Sequence, residues 1–208
     1  MGERMIYFIF TDTGTCLSKV INLFTRCSLN HVSIGFDDAL TKVYSFGRKK
    51  PKNPFSGGFV RENIRGDFLK KADCAIYSFC IEEAEYEKLL HNISAMEAEQ
   101  GSYRYNFLGL IGVLLQIEIK RENAFFCSQF VAMMLKDSLS FQLAKPCCFI
   151  TPADIRGIEG LCLQYEGRLG DYATKMIQDA ETSSAFAVNE RKSRFVLLSQ
   201  KIKRLVLR

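Results

Sequence analysis

Cys127 is the residue of this sequence whose type and position best suit chemistry. It follows an apolar, aromatic run at 124–126, and Phe130, Met133 and Met134 come after it at helical spacing, so a helix is predicted to begin at Cys127. Unpaired backbone N–H groups and the helix dipole favour an anion at such an N-terminus, which lowers the pKa of a cysteine there. The thiolate is the reactive form of cysteine. Cys127 is therefore predicted to be either a nucleophile or, as free cysteine often is, a small buried packing residue.

A thiol nucleophile needs a base within hydrogen-bond reach, and the chain has two histidines to supply it. His91 falls outside the apolar stripe of a predicted helix at 82–99, so we expect it to be a solvated surface residue. His31 comes directly after Asn30 and opens a predicted strand, at the end of a sheet, where functional side chains gather. Considered alone, His31 would be taken for a structural histidine, but together with Cys127 it predicts a thiol–imidazole pair.

The composition is that of an ordinary globular protein. Of 208 residues, 48% are apolar and 25% are charged, which is enough for the core of one domain. The net charge of +5 is concentrated at 48–52 and in the segment 191–208. The sequence lacks the aromatic–basic interleaving of a nucleic-acid-binding module, so no nucleic-acid partner is expected.

The eight cysteines are expected to be free thiols of a protein in the reducing cytoplasm. Several lie within apolar runs, and the N-terminal segment has early charge and too short an apolar run for a secretory leader. No Cys-x-x-Cys pair occurs, and Cys147 and Cys148 are adjacent, which is too close for the usual spacing of zinc ligands. Neither a metal nor any other cofactor is therefore expected.

Hydrophobic periodicity predicts a mixture of strands and helices. Strands are predicted at 5–11, 31–36, 42–46, 59–64, 74–79 and 161–168, and a turn at Asp37-Asp38 joins the second and third into a hairpin. Helices are predicted at 15–26 and 82–99, from Cys127 to near Ser138, and from a start at Thr151 and Pro152. The segment 47–58 is predicted to be a long loop, functional or mobile. The apolar run at 107–119 is too short to span a bilayer and is expected to be a buried helix or segment.

The C-terminal part of the chain differs in composition. We divide the sequence into a domain at 1–170 and a basic extension at 171–208, which is a helix or a strand. In the extension, Leu198, Ile202 and Leu205 share one helix face and basic residues surround them. This pattern predicts either docking on the domain or contact with a membrane surface through the basic C-terminus.

The order of several motifs resembles that of a known family. These motifs are the segments 31–36 (His-Val-Ser-Ile-Gly-Phe), 105–109 (Tyr-Asn-Phe-Leu-Gly), 126–131 (Phe-Cys-Ser-Gln-Phe-Val) and 151–154 (Thr-Pro-Ala-Asp). Over roughly residues 5–170 the chain resembles the circularly permuted NlpC-like papain-fold proteins, which include YiiX-like hydrolases and, more distantly, lecithin:retinol acyltransferase. The resemblance implies an α+β, papain-like fold, with an antiparallel sheet packed against helices and the cysteine at a helix N-terminus.

The resemblance also implies roles for individual residues. Cys127 would be the nucleophile and His31 the general base. The orienting third group of the family stands at the start of the strand after the histidine strand, and this position is Ser45. Glu62 on the following strand is a second candidate for that role. The substrate-binding candidates are Tyr105, Glu62 and Ser128.

The activity implied by the resemblance is that of a thiol hydrolase, a cysteine peptidase or amidase. Its substrate would bear an amide or ester bond, as in a peptide, a cell-wall fragment or a lipid. Two alternatives remain open. The first is a lipid acyltransferase or phospholipase-like thiol enzyme, which the apolar run at 107–119 and the basic tail fit. The second is a non-catalytic binding domain of the same fold, which Ser45 favours because serine is a weak orienting group.

Overall fold

A six-stranded antiparallel sheet organises the protein in a computed structural model that describes residues 2–12, 28–50, 53–67, 69–172 and 174–175. The strands of this sheet are β1 (Glu3–Asp12), β2 (His31–Gly35), β3 (Val43–Lys50), β4 (Asn53–Arg61), β5 (Asp73–Glu82) and β8 (Cys162–Arg168). Their order across the sheet is β4-β3-β2-β1-β5-β8. Two short strands, β6 (Arg104–Tyr105) and β7 (Ala124–Phe125), form a separate parallel pair. The predicted strands and the hairpin of β2 and β3 are present, but the strand predicted at 59–64 instead begins at Asn53 and ends at Arg61.

Helices pack against this sheet, so the α+β class is confirmed. They are α1 (Glu83–Ala98), α2 (Phe107–Leu115), α3 (Cys127–Leu135) and α4 (Pro152–Arg156), with a 3₁₀ turn at Cys147–Phe149. In α1 the side chains of Tyr86, Leu89, Ile93 and Met96 are buried at helical spacing, as predicted. Helix α3 begins at the predicted residue but ends at Leu135 rather than near 138.

The sheet has an apolar core on each face. Ile6, Phe8 and Phe10 of β1 point into the larger cluster, which includes α1 and α3, whereas Ile9 points into a second cluster on the other face. Because both faces of β1 are buried, its sequence is a continuous apolar run rather than an alternation of apolar and polar residues.

The expectation of a long loop at 47–58 is wrong. Strand β3 extends to Lys50 and β4 begins at Asn53, so most of the segment forms a hairpin. The glycines that suggested a loop have another role in the structure, because β6 packs very close to this hairpin. A Cβ atom added at Gly57 would lie 2.7 Å from Cβ of Tyr105 and 3.1 Å from the carbonyl oxygen of Gly47. Glycines that suggest a loop in the sequence are here required for close packing of two strands.

The expected burial of the apolar run at 107–119 is also wrong. Helix α2 spans Phe107–Leu115. The residue that caps its C-terminus, Gln116, adopts a left-handed conformation with φ 55°. Leu108 is 50% exposed, Ile111 49% and Leu115 62%. The run is aliphatic on all sides, so its sequence does not show which side faces the core.

The remaining predictions concern the ends of the domain. Thr151 caps α4 with a capping box to Asp154, and Pro152 lies in the first turn, as predicted. Tyr172, just beyond the predicted domain boundary, is buried and donates a hydrogen bond to the carbonyl oxygen of Asp38. The predicted helix at 15–26 and the part of the C-terminal extension beyond Lys175 lie outside the described residues. Among the helices of the described ranges, none combines the length and the apolar character needed to cross a bilayer.

Candidate active site

Two short parallel strands determine where α3 begins. Tyr105 of β6 pairs with Phe125 of β7, and each strand is followed two residues later by the first residue of a helix. The starts of α2 and α3, Phe107 and Cys127, are therefore neighbours in the same register. Phe126 is extended and its side chain does not cap α3, so the first N–H groups of the helix remain available near the cysteine.

The Cys127 thiol lies against the first residues of β2. Its Sγ is 4.0 Å from the carbonyl oxygen of Asn30, and the backbone N–H groups of Val32 and Ser128 donate to it. The ladder between β2 and β3 includes Ile34 and Gly35, and α3 packs against both strands. Cys127 is 4% exposed.

The His31 imidazole lies between a thiol and a carboxylate. Its Nε2 is 2.7 Å from Oε1 of Glu62. The ring is also in contact with the Cys127 thiol. Because Nε2 is used by Glu62, Nδ1 is the ring nitrogen left for the sulfur. The three side chains stand in the order thiol, imidazole and carboxylate, which is the order in which a thiol hydrolase would need its nucleophile, base and orienting group.

Glu62 is held by donors from two strands. It follows the last residue of β4, and its N–H bonds to the carbonyl oxygen of Val43. Its carboxylate accepts a hydrogen bond from Ser33 at Oε2 (2.8 Å) and from Ser45 at Oε1 (2.5 Å), in addition to the His31 contact. The side chain is 9% exposed. A buried carboxylate with three partners is well satisfied.

Burial and charge act in opposite directions on these groups. Burial alone would lower the pKa of His31, but the Glu62 carboxylate and the Cys127 contact raise it to about 10. Burial alone would raise the pKa of Cys127, but the His31 contact and charge, with the N–H groups of Val32 and Ser128, lower it. Burial would likewise raise the pKa of Glu62, and His31 with the serine hydroxyls lowers it. The site therefore favours a thiolate, an imidazolium and a carboxylate.

The structure brings Cys127 and His31 together, as the sequence analysis expected. Ser45 contacts Glu62 rather than the imidazole, so Glu62 has the position next to His31 that was first assigned to Ser45. The physical reason is side-chain length. The longer glutamate side chain beyond the end of β4 extends to the His31 ring, and the short serine side chain on β3 does not. Sequence analysis missed Ser33, although strand alternation puts residues 31 and 33 on the same face.

The other candidate residues have different surroundings. The Ser128 hydroxyl is buried and donates to the carbonyl oxygen of Ile150 at 2.7 Å, so this side chain ties α3 to the start of α4. Only its backbone N–H faces the thiol. The ring of Tyr105 is partly buried, with its centroid 4.6 Å from that of Phe107 at the start of α2. His91 is exposed on α1, as predicted.

No metal site accompanies these groups in the part of the chain that the structure describes, where no three His, Cys, Asp or Glu side chains come together as ligands. The described cysteines are free thiols. Comparisons of the chain with models of known protein families, with curated proteins and with solved structures found no match.

Proposed function

We propose that this protein is a thiol hydrolase that cleaves an amide bond through an acyl-enzyme on Cys127. The observation that supports this most directly is the contact of Cys127 with His31 at the start of α3, together with the hydrogen bond between His31 and Glu62. Three side chains from separate parts of the chain meet in the order of nucleophile, base and orienting group. A structural role would not require a buried charged triad, which is costly to form.

The proposed reaction has two steps. The Cys127 thiolate attacks the carbonyl carbon, and N–H groups at the start of α3 stabilise the oxyanion, a contribution of about 3 kcal/mol per donor. The C–N bond then breaks, and His31 gives its proton to the leaving amine. Water attacks the thioester while His31 accepts a proton, which releases the acid and restores the thiolate. Glu62 stabilises the imidazolium throughout.

The proposal includes the fold. A histidine strand that precedes a cysteine helix, in an antiparallel α+β domain, is the arrangement expected for a circularly permuted NlpC-like papain fold. The sheet order and the position of Cys127 at a helix N-terminus support this assignment. The alternative of a non-catalytic domain was based on Ser45 as a weak orienting group, and the Glu62 contact removes that basis.

Selective alkylation tests the proposed nucleophile. At about pH 6, iodoacetamide should label Cys127 faster than any other cysteine. Cys80 is the natural internal control, because it is exposed and its pKa is raised by partial loss of hydration and by the neighbouring Glu3 carboxylate. His31→Ala should slow labelling of Cys127 and leave that of Cys80 unchanged. Labelling of Cys127 that is no faster than that of Cys80, or that ignores the His31 change, would contradict the proposal.

A lipid acyl group is a second candidate substrate, and α2 favours it. This helix contains no charged residue and begins beside Cys127, and several of its aliphatic side chains are about half exposed. An exposed apolar face of this kind is typical of contact with another apolar surface. Acyl transfer from phospholipid vesicles, compared with hydrolysis of peptide amides, would separate the two substrates.

A further inference from the structure

The Glu62 carboxylate receives hydrogen bonds from two serines on neighbouring strands. Ser33 of β2 donates to Oε2, and Ser45 of β3 donates to Oε1, the oxygen that also faces His31. Both serines are completely buried. A serine hydroxyl has one proton to donate, and each of these protons goes to Glu62.

Strand register explains how both hydroxyls reach the same carboxylate. The pairing of Ile34 with Tyr44 makes Ser33 and Ser45 the next facing positions on β2 and β3. Their neighbours in sequence point into the larger core, so alternation turns the two serines towards the opposite face. There the Glu62 side chain lies between them.

We propose that Ser33 and Ser45 are positioning residues of the Cys127 site, whose hydroxyl groups keep the buried Glu62 carboxylate ionised and hold its Oε1 towards the His31 ring. This inference deepens the proposed function and rests on it. One donor on each oxygen fixes the plane of the carboxylate. Together the two donors replace the water that burial removes, which a buried anion needs in order to stay charged.

The consequence concerns the state of the nucleophile at rest. If Glu62 took up a proton or rotated away, His31 would lose its counter-charge and Cys127 would lose the imidazolium beside it. The thiolate would then form only at higher pH. Ser45 thus acts on the sulfur through Glu62 and His31, whereas Ser33 also lies beside the imidazole, with its Oγ 3.4 Å from Nε2 of His31.

The double variant Ser33→Ala with Ser45→Ala tests this role. The measurement is the rate of Cys127 alkylation by iodoacetamide as a function of pH. At about pH 6 the rate should fall roughly tenfold or more, because a charge-assisted hydrogen bond accounts for at least about a tenfold change in such an equilibrium. The difference from the wild type should shrink steadily as pH rises, because a thiol without the imidazolium still ionises at higher pH.

Control variants separate positioning from general damage to the sheet. Ser78→Ala is the matched control, because Ser78 is a buried serine on β5 that contacts Gln164 and lies outside the site. It should leave the pH profile unchanged. Ser45→Thr keeps the hydroxyl and should restore most of the rate lost in Ser45→Ala.

Two results would overturn the inference. One is a pH profile of the double variant that superimposes on the wild type, and the other is an equal loss of rate at all pH values. If the double variant does not fold, the His31 ring can be titrated by NMR in Ser45→Ala. A titration midpoint of His31 equal to that of the wild type would also overturn the inference. Failure of the proposed function would look different, since Cys127 of the wild type would then show no selective labelling.

Discussion

At the scale of single residues, the site is a set of charges that stabilise one another. The pKa of His31 is raised from 6.5 to about 10, and that of Cys127 is lowered from 9.0. Raising the pKa of His31 gives stability that is present below pH 6.5 and is lost as pH rises through about 10. Lowering the pKa of Cys127 gives stability that is present above pH 9.0 and is lost as pH falls. The two effects oppose each other above both pH 6.5 and the lowered pKa of Cys127, and below pH 9.0.

These opposing effects predict how stability depends on pH. In the wild type the pair should contribute little pH dependence above both pH 6.5 and the lowered pKa of Cys127, and below pH 9, because folded and unfolded chains then bind the same number of protons. Cys127→Ser removes the thiolate from this balance and keeps Glu62 beside His31, so stability should fall as pH rises above 6.5, by up to about 1.4 kcal/mol per pH unit. Urea unfolding of both proteins at several pH values measures the difference, and parallel curves would contradict the prediction.

At the scale of elements, the position of Cys127 depends on the pairing of β6 with β7. Strand β6 packs on the β3–β4 hairpin at Gly57, and β7 leads directly into α3. The hairpin, the short parallel pair and the cysteine helix are therefore mechanically connected. A substitution on the hairpin surface that shifts β6 should therefore also change the position of Cys127.

Gly57→Ala tests that connection. The added methyl group would lie too close to Tyr105 for an ordinary contact, so β6 must shift, and we expect a loss of about 1–3 kcal/mol of stability. Alkylation of Cys127 should also become slower. The matched control is Gly101→Ala, where no atom lies within 4 Å of the added carbon and stability should change by less than about 0.5 kcal/mol. Equal behaviour of the two variants in urea unfolding would refute the connection.

At the scale of the whole molecule, apolar residues are divided between the two cores and an exposed helix. The larger core contains Leu135 at the end of α3, which is fully buried, whereas Leu115 at the end of α2 is 62% exposed. The two leucines occupy equivalent places in helices that start side by side. Their surroundings differ because α3 packs on the sheet and the outer side of α2 does not.

Alanine substitution of each of these two leucines measures how much burial of the side chain contributes to stability. Leu135→Ala leaves a cavity in the core and should cost about 2–5 kcal/mol of stability. Leu115→Ala removes an exposed side chain and keeps helix propensity high, so the change should stay within about 0.5 kcal/mol. Thermal or urea unfolding provides both values. A large cost at Leu115 would mean that α2 is covered in solution.

The sequence by itself determined what depends on neighbours along the chain. Periodicity and capping residues specify α1, α4 and the strands, and a cysteine directly after an aromatic run marks the start of α3. These features could be predicted because backbone geometry alone determines which nearby side chains share a face.

Only the tertiary structure decided the contacts between distant parts of the chain. It selected Glu62 rather than Ser45 as the partner of His31, added Ser33, and left α2 exposed. The physical reason is that side-chain reach across strands depends on register, and that burial of an aliphatic helix depends on what packs against it. Neither quantity is encoded in the local spacing of residues.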